Sequence, residues 1–284
     1  MNFDQSAEKI TYSIMDPTGN ITALVESPVP VELQPGIAER IMKEKPTVEQ
    51  VGFVNFTAGR PALRMAGGEF CGNASMSAAV LYALQNRITV KSVISMCVSG
   101  TADPVDVRVA PAGDDVFDTG VKMPPALSFE EVFLSLDEWK GTLPLVRMQG
   151  IFHLIVRPSS SFYSRLSDNP AVGEQALRLW AQELSADGLG IMILTPSADP
   201  AEWDLEPLVY IPGSGTFFRE HSCASGTASV GMYLSYLAGT PLRLVFHEPG
   251  GILKVVTGPE NCETWLSGRT RFLERCTLSQ TPVP

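Results

Sequence analysis

The sequence predicts an α+β fold made of two similar halves related by a pseudo-twofold axis, with the functional site between them. Two observations predict it. A cysteine turn is written twice: GGEFCGNASMSAAV at 67–80 and EHSCASGTASVGMYL at 220–234 both place a cysteine and small residues before an alanine-rich run. A short strand is also repeated, because VEQVGFV at 48–54 resembles ADGLGIMI at 186–193.

The two halves are predicted to contain the same elements in the same order. PGIAERIMKEK at 35–45 and GEQALRLWAQEL at 173–184 space their apolar residues as amphipathic helices do, and one copy of the repeated strand follows each. The cysteine turn and its helix come next. Further strands follow, including VKSVISMCVSG at 90–100 and PLRLVFHEPGG at 241–251.

The predicted domain boundaries follow from where the repeat is interrupted. The first half spans 1–130 and the second spans 145–284, with a linker expected near 122–145, where PPALSFEE and DEWKGTLP break the pattern. The second half contains an insertion before its cysteine, expected within SADPAEWDLE at 197–206. The last strand is a candidate for crossing back to the first domain.

Composition excludes several classes of function. A formal net charge of -10 disfavours nucleic acid and anionic membranes as partners. No signal-peptide pattern opens the chain, and no apolar run approaches the roughly 20 residues that span a bilayer. The five cysteines are odd in number and include no CxxC pair, which favours reduced thiols in a cytoplasm over disulfides or a zinc site. We expect no metal and no other cofactor.

The repeated turn predicts a specific chemistry. The first N–H groups of a helix lack intrahelical partners and carry the positive end of its dipole, so two facing helices could hold one carboxylate. A cysteine at such an end forms its thiolate more readily than an ordinary thiol does. Cys71 and Cys223 could then flank one carbon, one removing a proton and the other delivering one, which is racemisation by two bases. The other three cysteines (Cys97, Cys262 and Cys276) are expected to be small apolar core residues.

At these motifs the chain resembles the diaminopimelate epimerase and proline racemase superfamily, which works without pyridoxal phosphate. FCGNA (70–74) and SCASGTAS (222–229) resemble its two cysteine motifs. DPTGNITALV (16–25) resembles its amino-terminal Gly-Asn strand, and QGIFHLIV (149–156) resembles the strand that carries its histidine. The resemblance covers nearly the whole chain and implies a diaminopimelate epimerase-like fold.

The resemblance also implies roles for individual residues. It makes Cys71 and Cys223 the acid/base pair, with His153 near the thiols and Glu220 or Glu69 poising a thiol or binding an ammonium group. The residues expected to bind substrate are Asn20, Glu49, Gly72, Asn73, Phe218, Ser225, Gly226 and Thr227.

Departures from the diaminopimelate epimerase pattern bear on the substrate. Ile211 and Pro212 stand where a Glu-Arg pair is expected, and Ile151 and Gly188 stand where asparagines are expected. A second charged end of a substrate would lack partners there.

The replacement pocket is predicted to be apolar, with Phe217 and Phe218 nearby and Glu49 as its one carboxylate. This pattern, together with MAGGEFCGNA at 65–74, resembles the histidine racemases that supply D-histidine for metallophores. Histidine is therefore the lead substrate. Racemisation or epimerisation of another amino acid (diaminopimelate, a hydroxyproline or a bulky apolar one) stays open, as do a non-catalytic amino-acid-binding homologue and a homodimer.

Overall fold

The computed structural model describes residues 9–57, 59–213, 215–258 and 263–278, which form sixteen strands and five α-helices. The strands of the first part of the chain are β1 (Ile10–Pro17), β2 (Thr22–Val25), β3 (Gln50–Asn55), β4 (Ala62–Met65), β5 (Ser92–Val98), β6 (Val105–Gly113) and β7 (Val116–Met123). The strands of the second part are β8 (Ser128–Leu136), β9 (Trp139–Met148), β10 (Ile151–Val156), β11 (Leu189–Pro196), β12 (Glu202–Ile211), β13 (Thr216–Arg219), β14 (Arg243–Glu248), β15 (Gly251–Thr257) and β16 (Thr264–Leu278). The helices are α1 (Gln34–Glu44), α2 (Gly72–Gln85), α3 (Tyr163–Asp168), α4 (Pro170–Glu183) and α5 (Ala224–Ala238).

The fold is a sheet-rich α+β architecture in which eight strands close into a barrel. The strand order runs from β1 to β7, then to β16, and β16 pairs back with β1. Helix α2 runs inside this barrel and contacts all eight strands. It is alanine-rich because only small side chains let a helix pack on all sides against a surrounding sheet.

The second part of the chain repeats this pairing order without closing in the same way. β9 to β12 pair as β1 to β4 do: antiparallel, then parallel, then antiparallel. β14, β15 and β16 follow, and α5 packs on β15 and β16 and on β9 to β11. The predicted helices at 35–45, 173–184 and after each cysteine are confirmed, as are the repeated strands, which are β3 and β11.

The predicted linker near 122–145 is wrong. These residues form β8 and β9, an antiparallel hairpin that ends the sheet. The outer half of β8 alternates weakly between buried and exposed positions, so its sequence lacks a clear strand pattern. The predicted insertion at 197–206 accounts for only part of the extra length, because β13 also has no counterpart in the first part.

Strand β16 joins the two parts of the chain. Its first residues pair with β15 and β7, and its last residues pair with β1, with a bulge at Ile14 and Met15. Leu278, at the end of β16, is buried in a cluster of first-part residues that includes Ile10 and Val25. Within the described residues, no helix is long and apolar enough to span a membrane.

Candidate active site

Each of the two predicted cysteines caps the N-terminus of a helix. Cys71 precedes α2 and Cys223 precedes α5, and both have extended backbone, with φ of -135° and -126°. The Sγ of Cys71 accepts the N–H of Ala74, and the Sγ of Cys223 accepts the N–H of Gly226, at 3.4 Å in both cases. Serine and aspartate make the same hydrogen bond when they cap a helix. The two turns therefore share one local geometry.

The two capped helix ends meet. A β-carbon added to Gly72, the first residue of α2, would lie only 2.8 Å from the Cβ of Ala224, the first residue of α5. The side chain of Asn73 crosses to the other turn, where its Nδ2 donates to the carbonyl oxygen of Ser222 at 3.1 Å. Glycine at 72 thus permits a contact between the two N-termini that any other residue would obstruct.

This contact leaves backbone amides available for an anion. The first N–H groups of a helix have no carbonyl partner, and in both helices the third is used by the capping sulfur. The amides that remain belong to Gly72 and Asn73 in α2, and to Ala224 and Ser225 in α5. Both helix dipoles direct positive charge to this point, which suits a carboxylate.

Two residues predicted to line the carboxylate site are engaged on the inner side of the turn. The Gly226 N–H bonds to the Cys223 sulfur. Thr227 directs its N–H and its hydroxyl to the Cys223 carbonyl oxygen, at 2.9 and 2.7 Å, and its hydroxyl also contacts Glu248. Ala224, which the sequence did not single out, instead occupies the position equivalent to Gly72.

The Cys71 thiol has a polar partner that the sequence analysis missed. It donates to Oε1 of Gln50 at 3.0 Å, and Nε2 of Gln50 donates to the Thr22 hydroxyl at 2.8 Å. Thr22 and Gln50 are partners in the parallel pairing of β2 with β3. Burial raises the pKa of Cys71 to about 12, so this cysteine is a thiol at neutral pH.

The Cys223 thiol lies beside a carboxylate and a hydroxyl. Burial raises its pKa well above the ordinary value, and the neighbouring Glu220 raises it further. The thiol donates a hydrogen bond to Glu220, and its sulfur lies 3.6 Å from the Ser225 hydroxyl. Cys223 is therefore also a thiol at neutral pH, with a hydrogen-bond acceptor in place.

Glu220 acts on both cysteines. Its charge raises the pKa of Cys71 as well as that of Cys223. Burial raises the pKa of Glu220 itself to about 7, close to the value at which a carboxylate exchanges protons readily at physiological pH. Glu69, the other predicted candidate, is exposed.

The side chain of Ser225 lies between His153 and the Cys223 thiol. His153 is completely buried on β10, and its Nε2 lies 3.3 Å from the Ser225 hydroxyl, which separates it from the Cys223 sulfur. Gly190 on β11 makes room for the ring, since a Cβ there would lie 2.7 Å from its Cδ2. Burial lowers the pKa of His153 to about 3, so the imidazole is neutral.

Glu49 already has two partners. One oxygen accepts from Nδ2 of Asn20 at 2.9 Å, and the other contacts Nδ1 of His221, a residue to which the sequence analysis assigned no role. Burial raises the pKa of Glu49, while His221 acts in the opposite direction. Asn20 lies in the turn between β1 and β2, outside the strand suggested by the resemblance.

Ile151, Gly188 and Ile211, which stand where charged or amide residues were expected, lie next to one another. A Cβ added to Gly188 would lie 3.2 Å from side-chain atoms of both Ile151 and Ile211. Phe218 on β13 pairs with Val209 on β12, so its side chain shares a face of the sheet with Val209 and Ile211. Together they form an apolar wall.

The remaining cysteines are not uniformly buried. Cys97 is exposed and Cys276 is half-buried, so the prediction that Cys97 is a core residue is wrong; Cys262 lies outside the described residues. Among the described residues, no group of three or more His, Cys, Asp or Glu side chains could hold a metal ion.

Comparison with known proteins identifies the family. Residues 9–265 match the profile described as the histidine racemase CntK N-terminal domain. The chain belongs to the histidine racemase family. A histidine racemase of Fusobacterium nucleatum subsp. nucleatum is 33% identical over 273 residues, which cover 93% of this chain and 95% of the relative. One from Staphylococcus aureus is 30% identical over 258 residues, which cover 87% and 88%. As a member of this family, the chain is an isomerase.

Solved structures of more distant proteins share the fold of this histidine racemase family member. A hydroxyproline epimerase from Agrobacterium vitis has a TM-score of 0.65 and 12% identity, covering 98% of this chain and 94% of its own. A phenazine biosynthesis protein of the PhzF family from Enterococcus faecalis has a TM-score of 0.61 and 14% identity, covering 96% and 100%.

Proposed function

We propose that this chain interconverts L- and D-histidine without a cofactor, using Cys71 and Cys223 as a pair of acid/base groups. The observation that carries the proposal is the contact between two cysteine-capped helix ends, at Gly72 and Ala224. Relatives named histidine racemase, at 33% and 30% identity, support the reaction and the substrate.

In the proposed reaction the substrate carboxylate binds the unused amides of the two helices, which puts Cα between the sulfurs. One thiolate removes the Cα proton from one face and becomes a thiol. The opposite thiol gives its proton to the other face and becomes a thiolate. No atom is gained or lost, and the two cysteines exchange protonation states. Charge that develops on the carboxylate during the step is stabilised by the helix ends.

The starting thiolate requires a proton acceptor, because burial keeps both cysteines in the thiol form. Glu220 fits this role, since the Cys223 thiol already donates to it and its pKa of about 7 allows exchange at physiological pH. The proton moves from sulfur to the carboxylate and leaves a thiolate beside a neutral acid. His153 would orient Ser225 next to Cys223, and Gln50 would orient the Cys71 thiol.

Substrate selection is proposed to occur away from the helix ends, because these bind any amino acid's carboxylate. The wall formed by Ile151, Gly188 and Ile211 disfavours a charged end. Glu49 would accept the imidazole N–H in place of His221, whose side chain is 61% exposed and can leave without uncovering the core. Phe218 would contribute to the apolar side of the pocket.

A racemisation assay across amino acids, without added cofactor, tests this substrate. We expect histidine to racemise in both directions and diaminopimelate to react about a hundredfold less well in kcat/KM, since a site rejects a group that it leaves unpaired. Activity should survive dialysis against a chelator. A clear preference for leucine or proline over histidine would overturn the substrate and leave the two-thiol reaction standing.

Solvent exchange distinguishes catalysis from binding alone. In D2O, a two-base racemase should introduce deuterium at Cα of each product molecule, because the delivering thiol carries a solvent-derived proton. A homologue that only binds its ligand would leave Cα unlabelled. Histidine that binds tightly without Cα exchange would overturn the proposed reaction.

The architecture, assembly and location are proposed on related grounds. The repeated pairing order supports two diaminopimelate epimerase-like domains with the site between them and β16 crossing back to the first; the pairing of β8 with β9 puts their boundary between β7 and β8, in place of the predicted 1–130 and 145–284. Two catalytic thiols need a reducing compartment, which supports the cytoplasm. A homodimer is the proposed assembly to be tested by size measurement in solution.

A further inference from the structure

A buried glutamate lies directly beneath the Cys223 turn. Glu248 ends β14 and is only 8% exposed. Its Oε2 accepts the backbone N–H of Cys223 at 2.8 Å, and its Oε1 contacts the hydroxyl of Thr227 one helical turn later. It thus contacts two positions one helical turn apart at the start of α5.

The hydrogen bonds at this contact are satisfied together when Glu248 carries a proton. The Thr227 hydroxyl has one hydrogen but lies within reach of two oxygens, the Cys223 carbonyl at 2.7 Å and Oε1 of Glu248. If the hydroxyl donates to the carbonyl, the contact with Oε1 needs a second hydrogen. A protonated Glu248 supplies it: its O–H donates to Thr227 while its other oxygen accepts from the Cys223 amide.

We propose that Glu248 is a positioning residue that anchors the Cys223 turn as a neutral carboxylic acid, and that its ionisation opposes formation of the Cys223 thiolate. The proposal rests on the proposed function of Cys223 and extends it to a group that touches no substrate. A neutral acid fixes the capping residue without placing negative charge beside its sulfur. An ionised Glu248 would place that charge at the end of the helix where the thiolate must form.

The surroundings of Glu248 agree with this protonation state. Burial, together with a smaller effect of the Glu220 charge, raises its pKa to about 8. The titratable groups that face it from the described residues are Cys223, at the start of α5, and Glu220, in the segment before it. Its neighbour His247 pairs instead with Glu202 on the adjacent strand.

Infrared spectroscopy tests the neutral acid without reference to activity. The wild-type protein at about pH 6.5 should show carbonyl absorption of protonated carboxylic acids. The part lost in Glu248→Gln should titrate away only as the wild type is brought above pH 8, whereas the part due to Glu220, whose pKa is about 7, should remain in the variant and titrate at lower pH. Glu130→Gln is the matched control, because the Arg147 guanidinium lowers the pKa of Glu130 and that carboxylate contributes no such band. A spectrum that Glu248→Gln leaves unchanged would overturn the proposal.

Alkylation of Cys223 tests the electrostatic effect. With iodoacetamide and mass spectrometry of the cysteine peptides, Cys223 should react at similar rates in wild type and Glu248→Gln at about pH 6.5, and about threefold faster in the variant at about pH 9. Cys97, which is exposed, is the internal control and should react equally in both proteins. A rate ratio for Cys223 that is the same at both pH values would contradict the proposal.

Kinetics connect the residue to catalysis. Glu248→Leu cannot hydrogen-bond to the Cys223 N–H or the Thr227 hydroxyl, so it should lower kcat about tenfold or more with little change in KM. Glu248→Gln keeps both hydrogen bonds and should recover most of this loss. Equal kcat in the two variants would contradict positioning by the carboxyl group. Absence of racemisation in the wild type would instead refute the proposed function, and the infrared result would stand on its own.

Discussion

At the scale of single residues, the main requirement is a thiolate in a site that disfavours one. Burial raises the pKa of both cysteines, and the hydrogen bond from the helix N-terminus to each sulfur lowers that pKa by less than burial raises it. The surrounding polar groups differ between the two: Gln50 accepts from Cys71, whereas Cys223 is beside Glu220 and Ser225. The pair is therefore symmetric in backbone and asymmetric in side chains.

Replacing either cysteine should remove racemisation and leave the fold intact. Cys71→Ser and Cys223→Ser keep the capping hydrogen bond, but a hydroxyl is a far weaker acid and base, so we expect kcat to fall by about 10²–10⁴-fold. Racemisation rates and thermal melting measure this, with Cys97→Ser as the control at an exposed cysteine. A near-normal rate in either catalytic variant would exclude that cysteine from the chemistry.

The pH dependence should report Glu220. Its carboxylate accepts a thiol proton only when ionised, so kcat/KM should fall as the pH drops through about 7, the raised pKa caused by its burial. Glu220→Gln should lower the rate and abolish this acid limb. Glu69→Gln, the matched exposed carboxylate before the other cysteine, should retain the limb. An unchanged limb in Glu220→Gln would assign it to another group.

At the scale of elements, the site is the junction of two helix N-termini. The strands that each helix packs against bring α2 and α5 together, and Asn73 ties one turn to the other. The distance between the two sulfurs is consequently set by how closely the first residues of the helices approach.

Gly72→Ala tests this approach. The added methyl group would lie 2.8 Å from the Cβ of Ala224, so the helix ends must separate, and a displacement of roughly 1 Å can cost about 10²-fold in rate. Gly36→Ala in α1 is the control: nothing lies within 4 Å of its Cβ, and alanine there should stabilise the fold by about 0.5–1 kcal/mol. Full activity in Gly72→Ala would show that close contact is unnecessary.

At the scale of the whole molecule, the C-terminal strand completes a barrel begun at residue 10. β16 supplies the only partner that closes β1 to β7 into a ring among the described strands. The barrel, and the α2 helix within it, therefore depend on residues of β16.

Two leucines on β16 provide a matched test of this dependence. Leu278 is 3% exposed and packs in the first-part core, whereas Leu273 is 48% exposed. Leu278→Ala should lower the free energy of unfolding by about 2–3 kcal/mol, and Leu273→Ala should change it by less than about 0.5 kcal/mol. Denaturant titration measures both. Equal effects would mean that the end of β16 contributes little to the first core.

The sequence alone determined the features that repeat locally. A cysteine, small residues and an alanine-rich run specify a capped helix that can be buried, and this local pattern predicted both turns, both helices and the strands before them. The substitution of Ile151, Gly188 and Ile211 for polar residues could also be read directly, since each is an identity at one position.

Only the tertiary structure decided which side chains surround the thiols. Gln50 reaches Cys71 because β2 and β3 pair in parallel, and Glu248 reaches Cys223 because the end of β14 lies beneath α5. Glu49 turned out to be bound by His221, 172 positions away. These contacts join residues distant in sequence, and no local periodicity records them. The prediction of a linker near 122–145 was wrong for the same reason. β8 and β9 are strands because they pair with each other and β9 pairs with β10, and their own apolar pattern does not record this.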